Sequence, residues 1–308
     1  VTETTNLKVA RMRPGAVNDS IRSLSVSLRP IKTDDAATIG EFLHRHLNRS
    51  VTPQDWTKLI HTPWKVDAPN HGFQLTNGDA IVGAYLAVYS VRGGEAGPVR
   101  VCNLAAFCVL KEFRMHGLRL ARALLAQQDY VFTDLSPSGN VVGLNERLGL
   151  RRLDTSTRLV ANLPSTPRRG IRVSGDPEVI ARVLRHGDSD VYRDHRAAAA
   201  ARHIVAEHAG GYAYLVFRRD RRKGLPLFAS PLYVGGDPAV LEAAWPSVTS
   251  HILLAHHLPA TLAERRILGF TPRRGFELRS PRPKMTRGGR LAATDIDYLY
   301  SELALVEW

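Results

Sequence analysis

Apolar and polar positions alternate over residues 25–30 and the alternation stops at Pro30, which predicts a first strand. An apolar stripe of helical period follows at Ile39, Phe42, Leu43 and Leu47, with Thr33 or Asp34 placed to cap it. Thr52-Pro53-Gln54-Asp55 puts a hydroxyl, a proline and an acid in the order that starts a helix, and Trp56, Leu59 and Ile60 then share a face. Residues 72–75 and 80–89 read as the arms of a hairpin around Asn77-Gly78, a strong turn signal. A glycine-rich loop is expected at 92–98. The apolar run 101–110 then predicts a buried strand, 111–116 a polar turn, and Gly117 opens a helix with Leu118, Ala121, Leu124 and Leu125 at helical spacing. A strand at 130–135, a helix at 141–148 and further strand over 151–163 complete the first half.

Residues 164–170, Pro-Ser-Thr-Pro-Arg-Arg-Gly, read as a linker. Beyond it, helices are expected at 177–185 and, around the alanine run 197–201, at 192–208. A strand at 212–217 leads into a very basic turn, 218–224, and a return strand at 225–234. Gly235-Gly236-Asp237-Pro238 starts another helix through Leu241 and Trp245, and Gly269-Phe270 ends a further segment. Residues 295–308 read as a closing strand or helix packed on the core. The expected division is a loose arm at 1–22, one domain at 23–163, a linker at 164–170 and a second domain at 171–308.

The chain has 308 residues, 44% of them hydrophobic and 23% charged, as in a soluble globular protein of one large or two ordinary domains. No apolar run approaches the length of a membrane helix, and the opening arm has no signal-like apolar core, so the cytoplasm is the expected compartment and no membrane partner is implied. The two cysteines, Cys102 and Cys108, lie an even number of residues apart in one predicted strand. They are expected on the same face, too far apart to bond, as reduced thiols. A net charge of +13 implies anionic company or a generally arginine-rich protein. The basic turn at 218–223 reads either as a grip for phosphate or an acidic partner, or as a solvated hairpin tip. His251, His256 and His257 have no acid or cysteine at ligand spacing, so no metal is expected. Hydrolase and nucleotide-triphosphate motifs are missing from the sequence.

Strand, glycine-bearing turn and helix form a phosphate-binding layout, because a helix start offers unpaired N–H groups and a positive dipole end. Here that layout reads Arg114-Met115-His116-Gly117-Leu118-Arg119. It resembles the GNAT superfamily of N-acetyltransferases, which carries Arg/Gln-x-x-Gly-x-Gly/Ala between its fourth strand and the next helix to cradle the pyrophosphate of acetyl-CoA. Arg119 departs from the small residue of that pattern. A second resemblance follows in Asn140, a helix and Gly149-Leu150, which stands where the family has Gly-Phe. Asn145 falls where many relatives have a tyrosine that protonates the departing thiolate. The resemblance covers about 24–163, and the order of elements in the second half suggests a degenerate second copy without the motif.

The resemblance implies an α/β fold, a mixed sheet flanked by helices, in two similar tandem domains. It implies acetyl-CoA or another acyl-CoA as co-substrate, no metal, and an N-acyltransferase acting on a small-molecule amine. Phe107, Cys108, Val109 and Leu110 would line the pantetheine arm, and N–H groups from Arg114 to Arg119, including those of Met115, His116 and Leu118, would hold the pyrophosphate. Asn140 and Asn145 belong to the same cofactor side, and an N–H near Cys108 or Val109 would polarise the carbonyl. The fourth strand offers Asn103 and no acid, so Asp134, at the end of the next strand, is the candidate base, with an ordered water as the alternative. An acidic carrier protein as donor, and a non-catalytic GNAT-like binder, stand as alternatives. A nucleic-acid partner rests on charge alone, with no aromatic-basic platform or helix-turn-helix signature, and a homodimer is left open.

Overall fold

The computed structural model describes residues 26–94 and 97–308, so the arm expected at 1–22 lies outside it. The first half runs β1 (Ser27–Pro30), α1 (Ala36–His46), α2 (Pro53–Thr57), β2 (Gly72–Asn77), β3 (Ala80–Gly94) and β4 (Gly97–Val109), then α3 (Gly117–Leu125), β5 (Tyr130–Asp134), α4 (Gly139–Arg147), β6 (Arg151–Arg152) and β7 (Thr157–Ala161). The second half repeats that order as β8 (Ile171–Ser174), α5 (Pro177–Val183), α6 (Gly187–His195), β9 (Arg202–His208), β10 (Gly211–Arg222) and β11 (Leu225–Gly236), then α7 (Pro238–His256), β12 (Ala260–Glu264), α8 (Arg265–Leu268), β13 (Phe276–Glu277) and β14 (Met285–Arg287). A closing tail carries one short helix, α9 (Glu302–Leu305).

Each half builds a seven-stranded mixed sheet flanked by helices, and the two sheets exchange a strand. The orders are β1-β2-β3-β4-β5-β14-β6 and β13-β7-β12-β11-β10-β9-β8. β14 pairs with β5 and β6 in the first sheet, while β7 pairs with β12 and β13 in the second. Residues 162–170 therefore join two strands, β7 and β8, that both belong to the second sheet.

Local sequence explains many of the elements. Thr52 caps α2 by accepting from the Asp55 N–H at 3.1 Å, with Pro53 at the first helical position. The buried face of α3 is Leu120, Ala121, Leu124 and Leu125, and it packs with Leu75, Tyr85, Ala87 and Leu104 on one side of the first sheet. The other side of that sheet carries Ala84, Leu86, Val88, Val101 and Cys108 and packs on α1 and α2. The tail joins the two sheets on this side. Tyr298, Leu299, Leu305 and Val306 are buried there, Tyr298 N donates to Leu232 O at 3.0 Å, and Trp308 stacks on Trp56 with ring centroids 6.4 Å apart.

Four segments differ from their sequence reading. The helix expected over 192–208 ends at His195, and 202–208 is β9. Alanine favours helix, but Ile204 and Ala206 alternate with Val205 on a pleat paired on both edges, by β8 and β10, and tertiary pairing overrides propensity. The loop expected at 92–98 is strand to Gly94 and again from Gly97. The basic turn shrinks to Lys223-Gly224, both at positive φ, because 218–222 continue β10. Cys102 and Cys108 lie on opposite faces of the first sheet, because a bulge separates them.

Candidate functional site

That bulge lies where the first sheet opens. β4 and β5 run parallel and pair only from Arg100↔Tyr130 to Asn103↔Thr133. Beyond Asn103, β4 continues to Val109 beside β3, with no β5 partner among the described residues. The β3 register shifts between Tyr85↔Phe107 and Ala87↔Leu104, so Ala105 and Ala106 oppose Leu86 alone. Leu110 N donates to Val82 O at 2.9 Å. Antiparallel alternation then turns the Cys108 N–H toward β3 and those of Phe107 and Val109 toward the open edge. Of the four residues expected along a pantetheine arm, these two therefore present donors. Burial pushes the Cys108 thiol up to about 11, so it is a neutral wall.

The turn after β4 is a 3₁₀ segment, Lys111–His116, in which Phe113 N bonds Leu110 O and Gly117 N bonds Arg114 O. Gly117 has ordinary helical φ, −57°. Its missing side chain serves close approach, since a Cβ there would lie 3.2 Å from the Phe107 ring. No side chain caps α3, which continues directly from the 3₁₀ segment. Lys111 and Arg114 are exposed beside its start, as is Met115 at 83%, and His116 is half-buried. Arg119 donates to Val26 O at 2.8 Å, which fastens it to the start of β1.

The two candidate catalytic side chains meet the splay from opposite faces. Asp134 is 4% exposed and accepts from Asn145 Nδ2 at 2.7 Å. Burial, reinforced by the nearby Glu302, pushes its carboxyl up to about 7. Asn103 accepts from Thr133 Oγ1 at 2.9 Å and donates to Glu302, which also accepts from Ser136 Oγ. Burial raises the Glu302 carboxyl as well, and among the described residues no cation pairs with either acid. Asn140 stands exposed at the start of α4, away from this group.

Two further residues belong here that the sequence reading missed. Glu302 comes from the tail, and its only signal is an acid placed immediately before the apolar run 303–306. Tyr85, on β3, packs edge-on against Phe107 at 4.7 Å, and its buried hydroxyl has no partner among the described residues. Burial and the Asp134 charge raise its pKa well above the ordinary value, so it is a neutral donor.

The second sheet opens in the same way. β11 and β12 pair only at Phe228↔Ala260 and Ala229↔Thr261, and a bulge at Leu232 follows in β11. Glu264 ends β12 as Asp134 ends β5, and each is paired with an exchanged strand. Lys284 Nζ holds Glu264 at 2.9 Å, Arg266 holds it at 3.3 Å, and Tyr298 donates to it. Asp237 caps α7, its Oδ1 accepting from Ala239 N at 2.8 Å. Among the described residues, no group of acids, histidines or cysteines is arranged to hold a metal. No helix is long and apolar enough to cross a membrane.

No family model matches this sequence, and no curated protein matches it. Solved structures do resemble it. A GCN5-related N-acetyltransferase from Anabaena variabilis superposes with TM-score 0.55 at 10% identity, over 85% of this chain and 72% of that one. A GCN5-related N-acetyltransferase from Kribbella flavida gives 0.50 at 17% identity, over 85% and 70%. A conserved protein of unknown function from Enterococcus faecalis gives 0.58 at 10% identity, over 87% and 74%. At these identities the likeness is one of fold. The chain has a GNAT-superfamily fold, built twice.

Proposed function

We propose that the protein is an acyl-CoA-dependent N-acyltransferase whose first half holds the donor. The observation that carries this reading is a parallel strand pair that parts after Asn103 and leads, along one strand, into an uncapped helix start ringed by basic side chains. The pantetheine arm adds to the open edge of β4 through the Phe107 and Val109 N–H groups. The pyrophosphate sits at the N-terminal end of α3, with Lys111 and Arg114 beside it. Either strand N–H polarises the thioester carbonyl.

In the reaction the acceptor nitrogen attacks the thioester carbon. A C–N bond forms, the C–S bond breaks, and CoA leaves as the thiolate. Asp134, ionised above about pH 7, takes the amine proton and passes it to the thiolate or to solvent. Tyr85 takes the place of the missing tyrosine at Asn145. It stays protonated and hydrogen-bonds the leaving sulfur, which stabilises its charge.

The test is the thermal midpoint with and without millimolar acetyl-CoA, in the parent and in the exposed double variant Arg114→Glu/Lys111→Glu. Ligand at about a hundred times its dissociation constant adds roughly 2.7 kcal/mol. The parent midpoint is expected to rise by a few degrees and the variant midpoint to stay flat. No rise with acetyl-CoA, a long-chain acyl-CoA or CoA itself contradicts the reading.

A further inference from the structure

A cavity of about 420 Å³ opens on the tail-bearing face of the second sheet, and both halves line it. Leu135 and Ser136, which follow Asp134, form one side, and Ser230 and Leu232 from the second splay form another. Ser136 donates to Glu302, so the cavity begins beside that buried carboxyl. Its volume falls in the range of small-molecule sites.

The charge of the lining is unbalanced. Arg218, Arg221, Arg222, Arg282 and Lys284 face two carboxylates, Asp220 and Glu264. Glu264 is already held by Lys284 and Arg266. Asp220 accepts from Ser230 Oγ and lies 3.3 Å from Arg218 Nε and 3.6 Å from Arg282 Nη1. Arg218 is 1% exposed, yet among the described residues its one hydrogen bond is to Leu303 O, through Nη1 at 3.2 Å. Its Nη2 has no hydrogen-bond partner among the described residues, and its Nε faces Asp220 without hydrogen-bond geometry. A guanidinium held out of water with open donors matches a compact oxyanion, which it can take by two parallel bonds.

We infer that this cavity binds the acceptor, and that the acceptor is an amine carrying a carboxylate or phosphate, with the anion on Arg218 and the amine toward Ser136, just past the end of β5. The acceptor role rests on the acyltransferase reading above, whereas the anion site does not. The second half then supplies recognition for the reaction that the first half performs.

Calorimetric titration with three small amines tests it: O-phosphoethanolamine, β-alanine and ethanolamine. The first two carry the two anions, and the third has the same amine without an anion. At least one anionic amine is expected to bind about tenfold or more tighter than ethanolamine, and whichever binds tighter identifies the anion. Arg218→Gln is expected to abolish the preference and Arg218→Lys to restore part of it. The exposed pair Arg222→Ala/Arg282→Ala is expected to weaken the preference by a few fold, and it decides the matter if Arg218→Gln fails to fold. Equal binding of all three amines by the parent overturns the inference, as does a preference that survives Arg218→Gln in folded protein. Acetyl-CoA titrated into the same samples separates the two readings. Donor binding without amine discrimination sinks the anion site alone, whereas amine discrimination without donor binding sinks the donor reading and leaves the site standing.

Discussion

At the start of α3 no side chain caps the helix, and the turn before it carries Lys111, Arg114 and His116. At the start of α7, the matching place in the second half, the Asp237 carboxylate already accepts from the Ala239 N–H. The same contrast recurs at the ends of β5 and β12. Asp134 is buried without a cation and is pushed up to about 7, while Glu264 is clamped by Lys284 and Arg266. One order of elements thus supports two electrostatic outcomes. The first half leaves a helix start without a side-chain cap and a carboxyl near neutrality. The second half has filled both positions with its own side chains and opens a cationic cavity on its sheet instead. The two halves share one order of elements and differ in the side chains that meet at its ends.

The largest test of this comparison is to separate the halves. A fragment covering residues 26–163 lacks β14, which sits between β5 and β6, and the remaining chain lacks β7. Neither is expected to melt cooperatively alone, a loss of the whole folding free energy of roughly 5–15 kcal/mol, and mixing is expected to restore the transition in near-ultraviolet dichroism. A cooperative melt of either fragment by itself breaks the account of the exchange.

Next comes Asp134→Asn. It is expected to lower transfer by roughly 10²–10⁴-fold while acyl-CoA binding persists. The parent rate is expected to rise with pH along a limb near 7 that the variant lacks. Stability moves the opposite way. The folded carboxyl holds its proton up to about 7, against an ordinary value of 3.8, so the folded protein binds the extra proton between those values. Stability therefore falls as pH rises through that window. Denaturant midpoints are expected to show Asp134→Asn more stable than the parent at pH 8 and equal to it near pH 4.

Glu264→Gln is the counterpart in the second half. It leaves Lys284 and Arg266 buried beside a neutral amide, and is expected to cost roughly 3–5 kcal/mol of stability without touching donor affinity. The smallest effect belongs to the helix starts. Asp237→Ala is expected to cost about 1 kcal/mol, while His116→Ala, which removes no capping bond, stays within about 0.5 kcal/mol.

What the sequence revealed was local. Arg114 through Gly117, the Asn77-Gly78 hairpin and the Thr52 cap each announce themselves within a few residues, because turn and cap chemistry is decided by immediate neighbours. What stayed hidden depends on distance along the chain. Glu302 reaches Asn103 across 199 residues, and β14 enters the first sheet from the end of the second half. The one-residue bulge at Ala105-Ala106 turns Cys108 to the other face, against any count of alternation. Arg218 reads as part of a basic run, a phosphate grip or a solvated hairpin tip, and it is buried because β10 carries it under Leu303 and Trp308. Composition cannot show that difference.

The central claim is that the donor lies on the first half and not on its copy. Amide hydrogen exchange, with and without acetyl-CoA, tests it most directly. The account predicts slowed exchange at Phe107, Val109, Leu118 and Arg119, with Gly235, Gly236 and Ala239 unchanged. Protection at the start of α7 instead, or the same protection at both helix starts, would contradict it.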